Sequence, residues 1–153
     1  MVELPISIWL AVLVLFLPLL DLSLLGLRVG TLHAAARNGA RDAGRAATFT
    51  EAGALASSKV TQSLNAGFGG NTVTKVTTAI VATPIDGGEP TRSTGPIAAD
   101  PDNFVYQIEV MVQGTAAPLL YVTCFGDIPG LSKPFPVSVA CTEMVEHPKG
   151  LSK

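Results

Sequence analysis

Positions 4–27 form a run of apolar residues whose one ionisable side chain is Asp21. As a helix the run is about 36 Å long, against a bilayer hydrocarbon thickness of about 30 Å. It exceeds the apolar core of a cleaved secretory signal. It also lacks that signal's basic start and its small-residue cleavage site. The run therefore predicts a retained transmembrane helix over 1–28, and everything else in the chain has to be built around it. Several residues in it are more than a plain anchor needs: Glu3 at its start, Pro5 and Pro18, Asp21, and the Gly26–Gly30 pair.

A chain of 153 residues leaves enough beyond this helix for one small domain. Its hydrophobic content is 48%, with most of the apolar excess before position 30, and its net charge of −2 supplies no electrostatic footprint for nucleic acid. Orientation draws on opposing signals. Arg28, Arg37, Arg41 and Arg45 follow the helix, which by the positive-inside count puts the downstream part in the cytoplasm. A β-rich downstream domain with two cysteines suits an oxidising compartment instead. A short basic leader ahead of Met1 would restore the charge balance. The expectation is a single pass through the cytoplasmic (inner) membrane, with the carboxyl-terminal domain extracytoplasmic.

The segment 29–70 reads as a helical extension. Arg37, Arg41 and Arg45 recur every four residues and share one face, while Ala36, Ala40, Ala43 and Ala47 form a small-residue stripe. Gly39 and Gly44 each weaken a helix by about 1 kcal/mol, so close packing is expected to compensate there. A second helical stretch follows, capped by Thr48 or Thr50 and ended by the glycines at 67–70, and it either continues the first or breaks from it.

From 71 the period changes to two, which predicts an extracytoplasmic β-domain over 71–153. Strands are expected at 71–85, at 104–114 with Phe104, Tyr106, Ile108, Val110 and Val112 on one face, at 119–125, and at 137–146. The intervening 84–103 is rich in Gly and Pro and long for a connection, hence functional or mobile. "HPKGLSK" reads as a tail. The fold class is α+β: a long amino-terminal spine helix, then a small, mostly antiparallel sheet.

Catalytic constellations are not legible. The chain has no glycine-rich phosphate loop and no G-x-S-x-G elbow, and its two histidines and two cysteines lack metal-ligand spacing. No enzyme activity, metal, cofactor or small-molecule substrate is expected. Cys124 and Cys141 lie in adjacent expected strands, joined by a proline-rich connection that can bring them together. A disulfide there would contribute roughly 3 kcal/mol; the alternative is two buried free thiols. Asp21 has two readings: it reaches the headgroups or pairs with Arg28, or it faces a partner helix. Gly26-x-x-x-Gly30 permits close helix contact, and with the alanine stripe it extends a small-residue seam over several turns.

"VELPI" opening an apolar helix, Pro18 within it, and "TLHAAARNGARDAGRAAT" after it resemble the amino-terminal signature of TadE-like proteins. These are pseudopilins or minor pilins of the tight adherence (Flp-type IV pilus) machinery. Val2–Glu3 and the run from Ala35 to Ala47 match that signature, and Glu146 with Pro148 is similar to the family's closing pattern. The resemblance implies a pilin-like structural subunit whose helix packs beside other pilin helices in a filament or its base, with membrane lipid and other pilin subunits as partners. Glu3, Pro5, Pro18, Asp21, Gly26, Gly30, Arg37, Arg41 and Arg45 would then be the assembly helix. The rival reading is a single-pass, membrane-anchored binding module that acts through the 84–103 loop.

Overall fold

A computed structural model describes residues 3–67, 69–121 and 126–152. One helix dominates it: α1 runs unbroken from Glu3 to Gly44, about 63 Å. Leucine, alanine and arginine, all good helix formers, carry it. Pro18 lies inside it and Pro5 in its first turns, where a missing N–H costs little. An 18-residue window of α1 reaches a mean hydropathy of 2.5, and it is the one helix among the described residues long and apolar enough to cross a membrane.

The helix divides by exposure. Over 6–16 its side chains are bare, Trp9 at 70% and Phe16 at 58% among them. From about position 17 the rest of the chain begins to cover it, and Leu32, Ala35, Ala36, Ala40 and Ala43 are fully buried.

The chain breaks after Gly44. Residues 45–48 turn, and α2 (Phe49–Asn65) runs back antiparallel along α1. Of the two expected caps, Thr48 is the one used: its hydroxyl accepts from the Glu51 N–H at 3.2 Å. The Glu51 carboxylate accepts from the Ala47 N–H at 3.1 Å, so the two side chains satisfy donors in both directions, much as a capping box does. The alanine stripe meets Ala52, Ala56 and Val60 of α2, all with no exposure. Gly39 is required at the crossing: a Cβ there would sit 2.9 Å from Val60 Cγ2 and 3.2 Å from the Ala56 carbonyl.

The two helices form one layer and the sheet the other. The strands are β1 (Asn71–Pro84), β2 (Thr91–Ser93), β3 (Phe104–Ala116) and β4 (Phe135–Met144), antiparallel in the order β2-β1-β3-β4. α1 lies over β3 and β4, and α2 over β1. Alternation fixes which face is covered: Tyr106, Ile108, Val110 and Val112 of β3 are buried under the helices, as the period of two predicts. Val137, Val139 and Cys141 of β4 join them, while Arg92 and Glu109 pair at 2.8 Å on the opposite face.

Three local expectations are corrected. Leu119–Tyr121 form no strand; the rest of that expected strand, 122–125, lies outside the described residues. The 84–103 loop is held rather than loose: β2 pairs with β1, the Asp100 N–H donates to Tyr106 Oη at 2.8 Å, and the Ile97 N–H donates to the Leu151 carbonyl at 2.9 Å. The tail folds back as a 3-10 turn, Pro148–Ser152, which buries Leu151 and presses Gly150 against the Ala47 carbonyl so closely that no side chain fits there.

Candidate functional site: the spine helix and the arginine cleft

Asp21 is completely buried, and neither of its sequence readings describes it. Its Oδ1 accepts from the Leu119 N–H at 2.7 Å and from the Leu120 N–H at 3.2 Å. The carboxylate therefore ties the segment that follows Pro118 to the spine helix. One carboxyl oxygen thereby satisfies two backbone donors of a segment distant in the chain. Its second oxygen is buried without a protein partner. Arg28, the other candidate partner, is directed elsewhere: its guanidinium lies under Gly70, whose positive φ of 98° and lack of a side chain make room for it, and its Nη1 is buried without a protein partner. Asn71 secures the same turn of α1 by donating to the Arg28 carbonyl at 3.1 Å and to Thr31 Oγ1 at 2.8 Å.

The expected continuous small-residue seam splits into two faces. Ala36, Ala40 and Ala43 are consumed by the protein's own fold, whereas Gly26 and Gly30 face open space with nothing near a would-be Cβ. Gly26 and Gly30 thus form an uncovered notch just beyond the apolar stretch. The physical reason is angular. At about 100° per residue, Gly30 and Ala36 point in different directions even though both are small.

Above that notch a cleft of about 710 Å³ opens between α1 and the end of β4. Gly30, His33, Arg37, Arg41 and Arg45 line one wall, and Glu143, Met144 and Glu146 line the other. The four-residue spacing puts Arg37 and Arg41 on one solvent-facing side of α1, and Arg45, in the turn just past the helix end, lines the same cleft. Arg45 Nε meets Glu146 Oε1 at 3.3 Å; this pair is half exposed and worth roughly 0–1 kcal/mol. The Glu146 N–H donates to the Gly44 carbonyl at 2.9 Å, which anchors the cleft's far end to the helix terminus. Planar guanidinium groups in an open cleft are suited to receiving carboxylate or phosphate groups in bidentate fashion.

Cys141 sits at the margin of this cleft with its thiol 3.8 Å from His33 Nε2. It is a free thiol, not half of the expected bridge, because β4 points it at α1; Cys124 lies outside the described residues. Burial pushes the Cys141 thiol up from its ordinary value, and the Arg37 charge opposes that rise. In a Cys124→Ser background, alkylation of Cys141 by iodoacetamide should therefore titrate at higher pH in the folded protein than in denaturant. Arg37→Ala should move the folded midpoint higher still. The thiol form is favoured by folding, so this contribution to stability is complete below the unfolded thiol's value and is lost as pH rises through the folded one. Coincident folded and unfolded midpoints would contradict the burial.

Glu3 begins α1, but its side chain lies outside the described residues. Pro5 is exposed and Pro18 lies in the helix beside Ile128 and Leu131. Among the described residues no three His, Cys, Asp or Glu side chains gather as a metal-binding set. No protein-family model matches the chain, and neither a curated protein nor a solved structure matches it.

Proposed function

We propose that this chain is a non-enzymatic, pilin-like structural subunit of the TadE-like kind, serving a tight adherence pilus or its assembly base. One observation carries the reading: a single unbroken helix is bare and apolar over 6–16, yet forms the centre of the folded domain's core from Leu32 to Ala43. An anchor on a flexible tether would satisfy the membrane equally well. A rigid spine shared by membrane and domain transmits the position of one to the other, which is what packing into a filament requires. The Gly26–Gly30 notch permits close approach of a neighbouring helix, and the arginine cleft suits an acidic group on a neighbouring subunit. In this reading the domain is extracytoplasmic, and adhesion or secretion follows from the assembly.

Cross-linking tests the proposal. Leu10, 67% exposed in the bare stretch, is replaced by cysteine in a Cys124→Ser, Cys141→Ser background, and cells are oxidised. Covalent dimers or adducts with other pilin-like chains are expected. Glu3→Ala should leave membrane insertion intact and reduce incorporation into filaments. Monomers alone would sink the subunit reading and favour the anchored binding module, whose 84–103 loop is held in a defined shape by β2 and the Asp100 and Ile97 contacts.

A further inference from the structure

The described parts of the connection from β3 to β4, 118–121 and 126–133, lie alongside the spine helix. Gly130, at a positive φ of 91°, lies against Leu25, and Ile128 and Leu131 share a groove of about 440 Å³ with Val14, Pro18 and Leu22. Side chains on this connection face outward although they are apolar: Leu119 is 51% exposed, Tyr121 59% and Ile128 42%.

The depth of this groove follows from helix length. The bare stretch 6–16 covers only about 16 Å, roughly half the hydrocarbon thickness, so α1 cannot span a bilayer on that stretch alone. With its lower end at Pro5, where the apolar helix begins, about 20 residues bring the upper boundary level with Leu24. Pro18 then lies about 9 Å below the boundary and Val14 about 15 Å below it. The residues lining the groove with them share that depth.

More than half of the N–H groups in these described parts already have acceptors within the chain. In lipid every N–H needs an internal acceptor. Leu119 and Leu120 donate to Asp21; Ile128 donates to Ser132 Oγ at 2.8 Å, Gly130 to the Lys133 carbonyl at 2.7 Å, and Leu131 and Ser132 to the Ile128 carbonyl at 3.1 and 2.9 Å. Pro118 and Pro129 have no N–H to satisfy. The two charges on the turn are paired, Lys133 Nζ to Asp127 Oδ2 at 2.6 Å, and the lysine stem is long enough to reach toward the headgroups.

We infer that the described parts of this connection, 118–121 and 126–133, are a second membrane-contacting element that inserts beside α1 into the leaflet on the domain's side, with lipid acyl chains on its outer surface. The domain thus rests in the membrane rather than standing clear of it. This rests on α1 being the membrane helix, and the experiment separates the two claims. The full chain is reconstituted in phosphatidylcholine vesicles with or without bromine on the acyl chains. In the native chain the indole of Trp9 should lose emission to the bromines. In a Trp9→Phe background, the indole introduced by Ile128→Trp, or independently by Leu119→Trp, should be blue-shifted and suffer a comparable loss. Quenching of Trp9 but of neither new indole, with both open to aqueous iodide, overturns the inference and leaves the anchor standing. Protection of the new indoles from both bromine and iodide means a second chain covers them and also overturns it. No quenching of Trp9 overturns both claims.

Discussion

Asp21→Leu should release the 118–121 segment from the spine. Leucine fills the space but accepts nothing, so the Leu119 and Leu120 N–H groups, now bonded at 2.7 and 3.2 Å, lose their acceptor. A fully buried donor left unpaired costs about 1–3 kcal/mol, so this part-buried pair costs at most about 2–6 kcal/mol and falls toward the lower end. The removal of a buried carboxylate offsets part of that, because one of its oxygens has no protein partner. The donors decide the sign, since the backbone N–H groups cannot be removed and the leucine gives them nothing. The effect is local. Hydrogen exchange at Leu119 and Leu120 in detergent should quicken by about 30-fold or more, while amides of β3 such as Ile108 and Val110 change little. Asp21→Asn keeps an acceptor oxygen and should change exchange far less. Unaltered exchange in Asp21→Leu would mean that the carboxylate does not hold this segment.

The second large effect is expected at Gly39. Helix propensity alone makes Gly→Leu favourable by roughly 0.5–1 kcal/mol. Here the Cβ meets Val60 Cγ2 at 2.9 Å and the Ala56 backbone at 3.2 and 3.7 Å, and three further carbons would have to enter the same contact. Val60 could turn aside, but the backbone of α2 could only move away as a whole, opening a seam where Ala36, Ala40, Ala52 and Ala56 are all fully buried. Overpacking of this kind costs about 1–3 kcal/mol and sometimes more, enough to reverse the propensity gain. Gly39→Leu should therefore lower the thermal midpoint of the domain in detergent by several degrees, at about 4–8 °C per kcal/mol for a domain of this size. Gly26→Ala, where a Cβ meets nothing, supplies the contrast: its midpoint should hold or rise. A stabilised Gly39→Leu would show that the two helices are not in close contact at this crossing.

Much of the architecture was legible because two periods in the chain are strong. The apolar run and the alanine–arginine run after it read as helix; α1 covers the first and carries the second as far as Gly44, with Arg45 to Ala47 in the turn beyond. The alternation at 71–85, 104–114 and 137–146 read as strands; the strands run Asn71–Pro84, Phe104–Ala116 and Phe135–Met144, and Phe104 to Val112 face where the alternation puts them. The arginine spacing read as one face, and Arg37, Arg41 and Arg45 do share a wall of the cleft. Readings failed where a residue's partner is distant in the chain. Asp21 was weighed against neighbours on its own helix or on another chain; its partners are 98 and 99 positions away in the same chain. The alanine stripe was joined to the Gly26–Gly30 pair because both are small, but small size does not say which face a fold will use. "HPKGLSK" read only as a tail because it is polar and short, and the burial of Leu151 depends on where the α1–α2 turn passes. The sequence offered Cys141 a cysteine partner by proximity of strands, whereas the pleat of β4 aims it at His33.

Local composition by itself determined that this chain has one long apolar helix, a helical continuation rich in alanine and arginine, and an antiparallel sheet, because hydrophobic periodicity and propensity act over a few residues. Only the tertiary structure decided that α2 folds back on α1, that Asp21 serves a loop on the far side of the sequence, and that the described parts of the β3–β4 connection lie along the apolar helix. Those outcomes turn on contacts between segments far apart in sequence, where close approach at glycine and alanine and the need to satisfy buried backbone donors select one arrangement among many that the local pattern allows.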